Sequence, residues 1–212
     1  MVNYNDIESL RFTLQGVDLV ISTISGAEQM NLIDAARRAR IRRFVPSEFE
    51  GAIGHRPEAD DPLDNDASTA RGLLDQWSRS LHYPIRSTVF SCGVFYERFA
   101  PGGLGAYNMG AAWRLRGQGN YMMDLGTGTG DIPIADARGH PVSLVLTSVF
   151  DVARFLAAAV ELGIDNWPPE FKIIGARLTT ERLRQICSED RRSEGPRHIF
   201  NSKPKFQNQR QD

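Results

Sequence analysis

The chain predicts an α/β fold, a parallel sheet with flanking helices, and three observations carry that prediction. Residues 17–22, Val-Asp-Leu-Val-Ile-Ser, form a short apolar run rich in β-branched side chains, which reads as a strand buried on both faces. Residues 27–40 then place Met30, Leu32, Ile33, Ala36 and Ala39 near helical spacing, and residues 43–46, Arg-Phe-Val-Pro, read as the next strand, stopped by Pro46. The rhythm repeats, with a helix over 67–81 that aligns Leu73, Leu74, Trp77 and Leu81, and a strand over 85–91 after Pro84. Two strands joined by a helix make a right-handed crossover, hence a parallel sheet.

The remaining elements follow in order. Residues 51–65 shift to Gly, Pro and Asp and read as a long surface loop after a strand, a common place for active-site loops. Residues 93–103 begin a short helix that Pro101 and the adjacent glycines end. Residues 120–146 break short apolar runs with glycines and prolines, a pattern of hairpins and extended segments. A helix spans 148–162, with Ser148 as N-cap and Gly163 as its stop. A short strand covers 171–175 and a capped helix 178–187. Residues 188–212 have few apolar side chains and no period, and read as a flexible polar tail beyond a domain of residues 1–187.

Composition narrows the function classes. A chain of 212 residues with 41% hydrophobic content can bury one sizeable α/β core. A net charge of -1 carries no footprint for nucleic acid or an anionic membrane, so neither is expected as a partner. Two cysteines, Cys92 and Cys187, lack disulfide-framework or zinc spacing, which fits a reducing, cytoplasmic compartment. No apolar run approaches the ~18 residues of a membrane span, and the start is too polar for a secretory signal. The lysines are three, Lys172, Lys203 and Lys205, so all side-chain positive charge before residue 172 apart from histidine is arginine.

Six segments together carry a family resemblance. They are residues 16–26 (Gly-Val-Asp-Leu-Val-Ile-Ser-Thr-Ile-Ser-Gly), 29–36 (Gln-Met-Asn-Leu-Ile-Asp-Ala-Ala), 43–50 (Arg-Phe-Val-Pro-Ser-Glu-Phe-Glu), Pro57 with 61–64 (Asp-Pro-Leu-Asp), 88–99, and 151–155 (Asp-Val-Ala-Arg-Phe). On these the chain resembles the NmrA-like and isoflavone-reductase-like branch of the atypical short-chain dehydrogenases, particularly its fungal members, from about Gly16 to Ile186. The resemblance implies a Rossmann-like domain that binds NADP or NAD and transfers hydride to a small organic, secondary-metabolite-like substrate. It places a glycine-rich phosphate loop on a first strand without counterpart here, so the chain reads as lacking the first βα units. It also departs from the family's C-terminal substrate-binding part after Glu189, leaving 120–146 as a small irregular, hairpin-rich substrate-side region.

Nicotinamide chemistry needs a cofactor bed, a pocket beside the ring, and a group that stabilises or protonates the developing oxyanion. By resemblance, Ser22, Thr23 and Ile24 at one strand end and Pro46, Ser47, Glu48 and Phe49 at the next lie along the ribose and nicotinamide. The alternative is that Ser22 and Thr23 cap the following helix and that Pro-Ser-Glu-Phe turns the chain. A family lysine that serves the chemistry matches Arg71, counting back from Pro84. Arg71 holds an anion or is a solvated helix residue, and with a pKa above about 12 it donates a proton poorly. The proton then comes from Tyr96, His55 or water. Gly93, Phe95 and Tyr96 line the family's substrate pocket, with core packing of Phe95 and Phe99 as the alternative.

Three motifs are set aside. Residues 123–130, Met-Asp-Leu-Gly-Thr-Gly-Thr-Gly, imitate the first motif of S-adenosylmethionine methyltransferases, but that reading needs a helix directly afterwards, and Pro133 and Pro141 break one. The arginines Arg37, Arg38, Arg40, Arg42 and Arg43 read as a cationic helix end offsetting the dipole rather than a phosphate site. His55, Asp60, Asp61, Asp64 and Asp66 fit no metal spacing and read as a solvated loop.

Overall fold

A computed structural model describes residues 2–49, 51–56, 59, 64, 66–100, 103–107, 109, 123–124 and 129–192. The elements run α1 (Ile7–Thr13), β1 (Leu19–Ile21), α2 (Ala27–Arg38), β2 (Arg43–Val45), α3 (Ala67–Ser78), β3 (Arg86–Ser87), β4 (Val89–Ser91), β5 (Val94–Phe95), β6 (Met123–Asp124), β7 (Thr129–Gly130), β8 (Ser143–Thr147), α4 (Val149–Glu161), β9 (Glu170–Lys172), β10 (Ala176–Thr179) and α5 (Thr180–Arg192). Among the described residues, 2–93 with 150–173 form one compact unit, and 94–149 with 174–192 form a second.

The first unit carries the parallel sheet that the sequence predicts. β1 pairs with β2 in parallel, Val20 opposite Phe44, and β2 pairs in parallel with β3, Phe44 opposite Ser87. The apolar stripe of α2, Leu32, Ile33, Ala35 and Ala36, packs with Leu10 of α1, Phe44 of β2, Leu74 of α3 and Ile85 into one buried cluster. Each of these larger side chains, fully buried, contributes about 1.5–3 kcal/mol of transfer free energy.

Residues 85–91 form two strands rather than one. The N–H of Thr88 still donates to the carbonyl of Phe44 (3.1 Å), but its hydroxyl turns to Pro168 O (2.8 Å), and β4 then pairs in parallel with β9, Phe90 opposite Phe171. β1 lies at the end of its three-stranded sheet. Val20 is buried there but Ile21, on the opposite face, is 38% exposed, so β1 is not buried on both faces. α3 ends at Ser78, and Leu81, predicted on its apolar face, is 96% exposed.

In the second unit β8 lies between β5, parallel to it, and β10, antiparallel to it, and β6 pairs with β7 as a hairpin. Gly126 and Gly128 lie outside the described residues. Thr129 and Gly130 belong to β7, and a bridge between Ala135 and Pro141 follows, so no helix succeeds the glycines. Leu178 and Thr179, read as helical from sequence, pair with Leu144 and Ser143 in β10, and the Thr179 hydroxyl caps α5 by accepting from the N–H of Arg182 (3.1 Å). α5 continues through Arg192, past Ser188, where the sequence predicts a flexible tail; residues 193–212 lie outside the described residues. At Gly175 a Cβ would stand 2.7 Å from the carbonyl oxygen of Leu146, a close approach that only glycine permits. Buried Glu97 accepts from the Ser148 hydroxyl (2.7 Å) and the Val149 N–H (3.1 Å), placing negative charge at the start of α4.

Candidate functional site

Parallel pairing brings the carboxyl ends of β1 and β2 side by side, which is where open α/β sheets bind their ligands. The N–H of Ser22 extends the ladder by donating to Val45 O (2.8 Å). The Ser22 hydroxyl is buried and folds back on its own loop, donating to Ile24 O (3.1 Å) and accepting from Ile24 N–H (3.4 Å). Thr23 and Ser25 are exposed and Ile24 is half-buried. Gly26, at φ +72°, turns the chain into α2 and is its N-cap, without a side-chain capping bond. Ser22 and Thr23 therefore do not cap this helix.

The second segment, residues 46–49, is held on several sides. Glu48 N–H donates to Pro46 O (2.7 Å), closing a tight turn. Ser47 N–H donates to Oε1 of Gln29 (2.7 Å), a residue of α2 that is itself buried. The carboxylate of Glu48 is only 1% exposed and meets Nη1 of Arg71 on α3 at 2.8 Å. Arg56 Nη2 donates to Glu48 O (3.0 Å), and the buried thiol of Cys92 reaches Phe49 O (3.0 Å). Arg71 is thus the partner of a buried carboxylate rather than a solvated helix residue.

Asp64 is also not part of a solvated loop. It is buried, stands 3.9 Å from Arg71, and accepts from the backbone N–H (2.9 Å) and hydroxyl (2.8 Å) of Ser68 at the start of α3. Asp66 and His55 are exposed, and Asp60 and Asp61 lie outside the described residues. Among the described residues no group of three or more His, Cys, Asp or Glu could hold a metal, and no helix is long and apolar enough to cross a membrane.

Gly93, at φ +74°, closes the β4 segment in the first unit. Phe95 and Tyr96 belong to the second unit, where Phe95 is half-buried and Tyr96 packs against the cluster of Phe99, Leu146 and Leu183. The arginines divide as well. Arg37 and Arg38 bond Asp34 on their own helix, Arg42 pairs with Asp18 and Asp165, and Arg40 stacks over Tyr83. Buried Arg43 donates to the Thr88 hydroxyl and Trp167 O, and its own burial and then Arg86 lower its pKa. Offsetting a helix dipole therefore does not describe the cluster as a whole.

A third carboxylate, Glu170, ties loop to sheet. It accepts from the Ser91 hydroxyl (2.6 Å) and the N–H of Ile53 (3.2 Å), with Lys172 at 3.5 Å. Burial pushes its pKa up, but these donors and the lysine outweigh that and hold it below the ordinary value of 4.5. A lowered pKa stabilises the fold above the unfolded value and loses that contribution as pH falls through the folded one. Glu170→Gln is expected to lower stability at pH 7, and the gap to the parent chain should shrink below pH 4.5 in urea titrations run across pH.

Sequence reasoning missed Gln29 and the partners of Glu48 and Asp64. Gln29 carried a signal: with Ile33 and Ala36 it occupies the i, i+4, i+7 stripe of α2, a polar side chain on the buried face.

This architecture, a parallel sheet crossed by helices with two loops meeting at its carboxyl edge, is a Rossmann-like α/β domain. The NmrA-like family model matches residues 2–161, and the chain belongs to that family. No curated protein matches it. Among solved structures, a nucleoside-diphosphate-sugar epimerase from Staphylococcus aureus is 16% identical with TM-score 0.58, over 89% of this chain and 58% of that one. AtPrR2 with NADP+ and (+)-pinoresinol is 21% identical with TM-score 0.57, over 88% and 56%. Leucoanthocyanidin reductase from Vitis vinifera, in a binary complex with NADPH, is 16% identical with TM-score 0.56, over 88% and 57%. The chain spans a little over half the length of these structures.

Proposed function

We propose that this chain forms the nicotinamide side of the cofactor site in an NAD(P)H-dependent oxidoreductase of the isoflavone-reductase-like type, acting on a small organic, secondary-metabolite-like substrate. The observation that carries this reading is the junction of the two strand-end segments, Ser22 N–H on Val45 O, at the carboxyl edge of the parallel sheet. The donor set suits that part of the cofactor. Thr23 and Ser47 offer hydroxyls for ribose, Ile24 and Phe49 offer apolar surface for a flat ring, and Arg71 is bound to Glu48. NADPH or NADH, when bound, supplies the hydride.

The roles proposed for the chain's own residues combine the family resemblance with the contacts of Ser22, Glu48 and Arg71. Ser22 shapes the first loop, and residues 46–49 form the wall opposite. Arg71 holds Glu48 and passes no proton, so Tyr96, His55 or water supplies it. Gly93, Phe95 and Tyr96 are assigned to the substrate by the family resemblance alone. Titration of NADPH and NADH by calorimetry is expected to give saturable heat, and the absence of heat at near-millimolar cofactor overturns the reading.

The engagement of Arg71 favours a second reading, a non-catalytic NmrA-like binding or regulatory protein. Saturable binding without NADPH oxidation across a panel of phenylpropanoid-like acceptors selects it over the first.

A further inference from the structure

We propose that Gln29 is a positioning residue that locks the two strand-end segments together and so sets the width of the cofactor bed. The inference rests on the nucleotide-binding reading above and names a residue for which that reading has no role. The backbone N–H of Gln29 donates to Gly26 O (3.1 Å), at the end of the segment that follows β1. Its side-chain oxygen accepts the N–H of Ser47 (2.7 Å), in the segment that follows β2. One buried residue in the first turn of α2 therefore ties both halves of the bed.

The tie matters because of what the turn at 46–49 lacks. Pro46 has no N–H, and Glu48 N–H is used within the turn, so Ser47 N–H is the donor that anchors the turn to α2. The other anchors reach it elsewhere: Arg71 and Arg56 at Glu48, and Cys92 at Phe49. Without an acceptor at Gln29, Ser47 is left to swing while the Glu48 end stays fixed. A buried amide with no partner also seeks water, which widens the crevice between the segments.

The test compares Gln29→Met, which keeps length and apolar volume but removes the acceptor, with Gln29→Glu, which keeps an acceptor. Amide hydrogen exchange at Ser47 and the Kd for NADPH are read on the full chain. Gln29→Met is expected to speed exchange at Ser47, with α2 still protected, and to raise Kd roughly tenfold, the equivalent of one hydrogen bond. Gln29→Glu should restore most of both. Unchanged Ser47 exchange in Gln29→Met overturns the inference, as does unchanged Kd in a chain that binds NADPH. Loss of protection throughout α2 in both variants overturns it too, because the residue is then merely structural. A parent chain that binds no NADPH defeats the nucleotide reading instead, and Ser47 exchange alone then decides the tie.

Discussion

Arg71→Leu is expected to lower the melting temperature by roughly 6–12 °C, the shift that about 3 kcal/mol produces in a chain of this size. The cause is the state of the partner left behind. The Glu48 carboxylate is 1% exposed and its Oε2 lies 2.8 Å from the guanidinium, so removing Arg71 takes the facing cation away from a charge buried from water. Breaking such a pair costs about 3–5 kcal/mol, and the lower figure applies because Arg71 itself is 23% exposed and its charge is partly screened. Arg71→Lys keeps the charge but not the planar fork, and should lie between the parent and Arg71→Leu. The double variant Glu48→Met, Arg71→Met removes both charges and should recover most of the loss, because an apolar pair needs no desolvation. Scanning calorimetry on the parent, Glu48→Met, Arg71→Met and the double variant forms the cycle, and purely additive losses would show that the pair carries no coupling.

Phe90→Ala is the second large effect, a loss of about 3–5 kcal/mol. Phe90 is 1% exposed in β4, stacks on Phe171 of β9 with centroids 4.9 Å apart, and meets Trp167 edge-on at 5.8 Å. Trp167 and Phe171 are also edge-on at 5.8 Å, so the three rings form one aromatic core against the β4 and β9 pair. Truncation removes the transfer term and leaves a cavity that rigid neighbouring rings cannot fill. Phe12→Ala is the control: that ring is 74% exposed, and its loss should change stability by no more than about 0.5 kcal/mol. Urea unfolding followed by tryptophan fluorescence, with Trp167 inside the core concerned, measures both.

The alternation of strand and helix through β2 and α3 was legible because it is a local property. The apolar run at 17–22, the stripe of Leu32, Ile33 and Ala36, and the stop at Pro46 each act within a few residues of chain. The segments of the candidate bed were legible for the same reason, since strand ends follow from strand positions. Partner choice was not legible. The run 85–91 has one uniform pattern, yet it divides at Thr88, where pairing passes from β2 to β9. Leu178 and Thr179 fit a helix as well as a strand until Leu144 and Ser143 lie opposite them. Leu81 fits the apolar face of α3 until that helix ends at Ser78.

By itself, then, the sequence determined the α/β class, the strand–helix order from β1 to α3, and where the ends of β1 and β2 fall. It also determined that no lysine stands at position 71. Tertiary structure decided what the polar groups in those segments do. Gln29 meets Ser47 across 18 residues of chain and Arg71 meets Glu48 across 23, contacts that no local pattern encodes. The physical reason is desolvation: a buried amide or carboxylate must find a partner, and packing alone determines which residue is within reach.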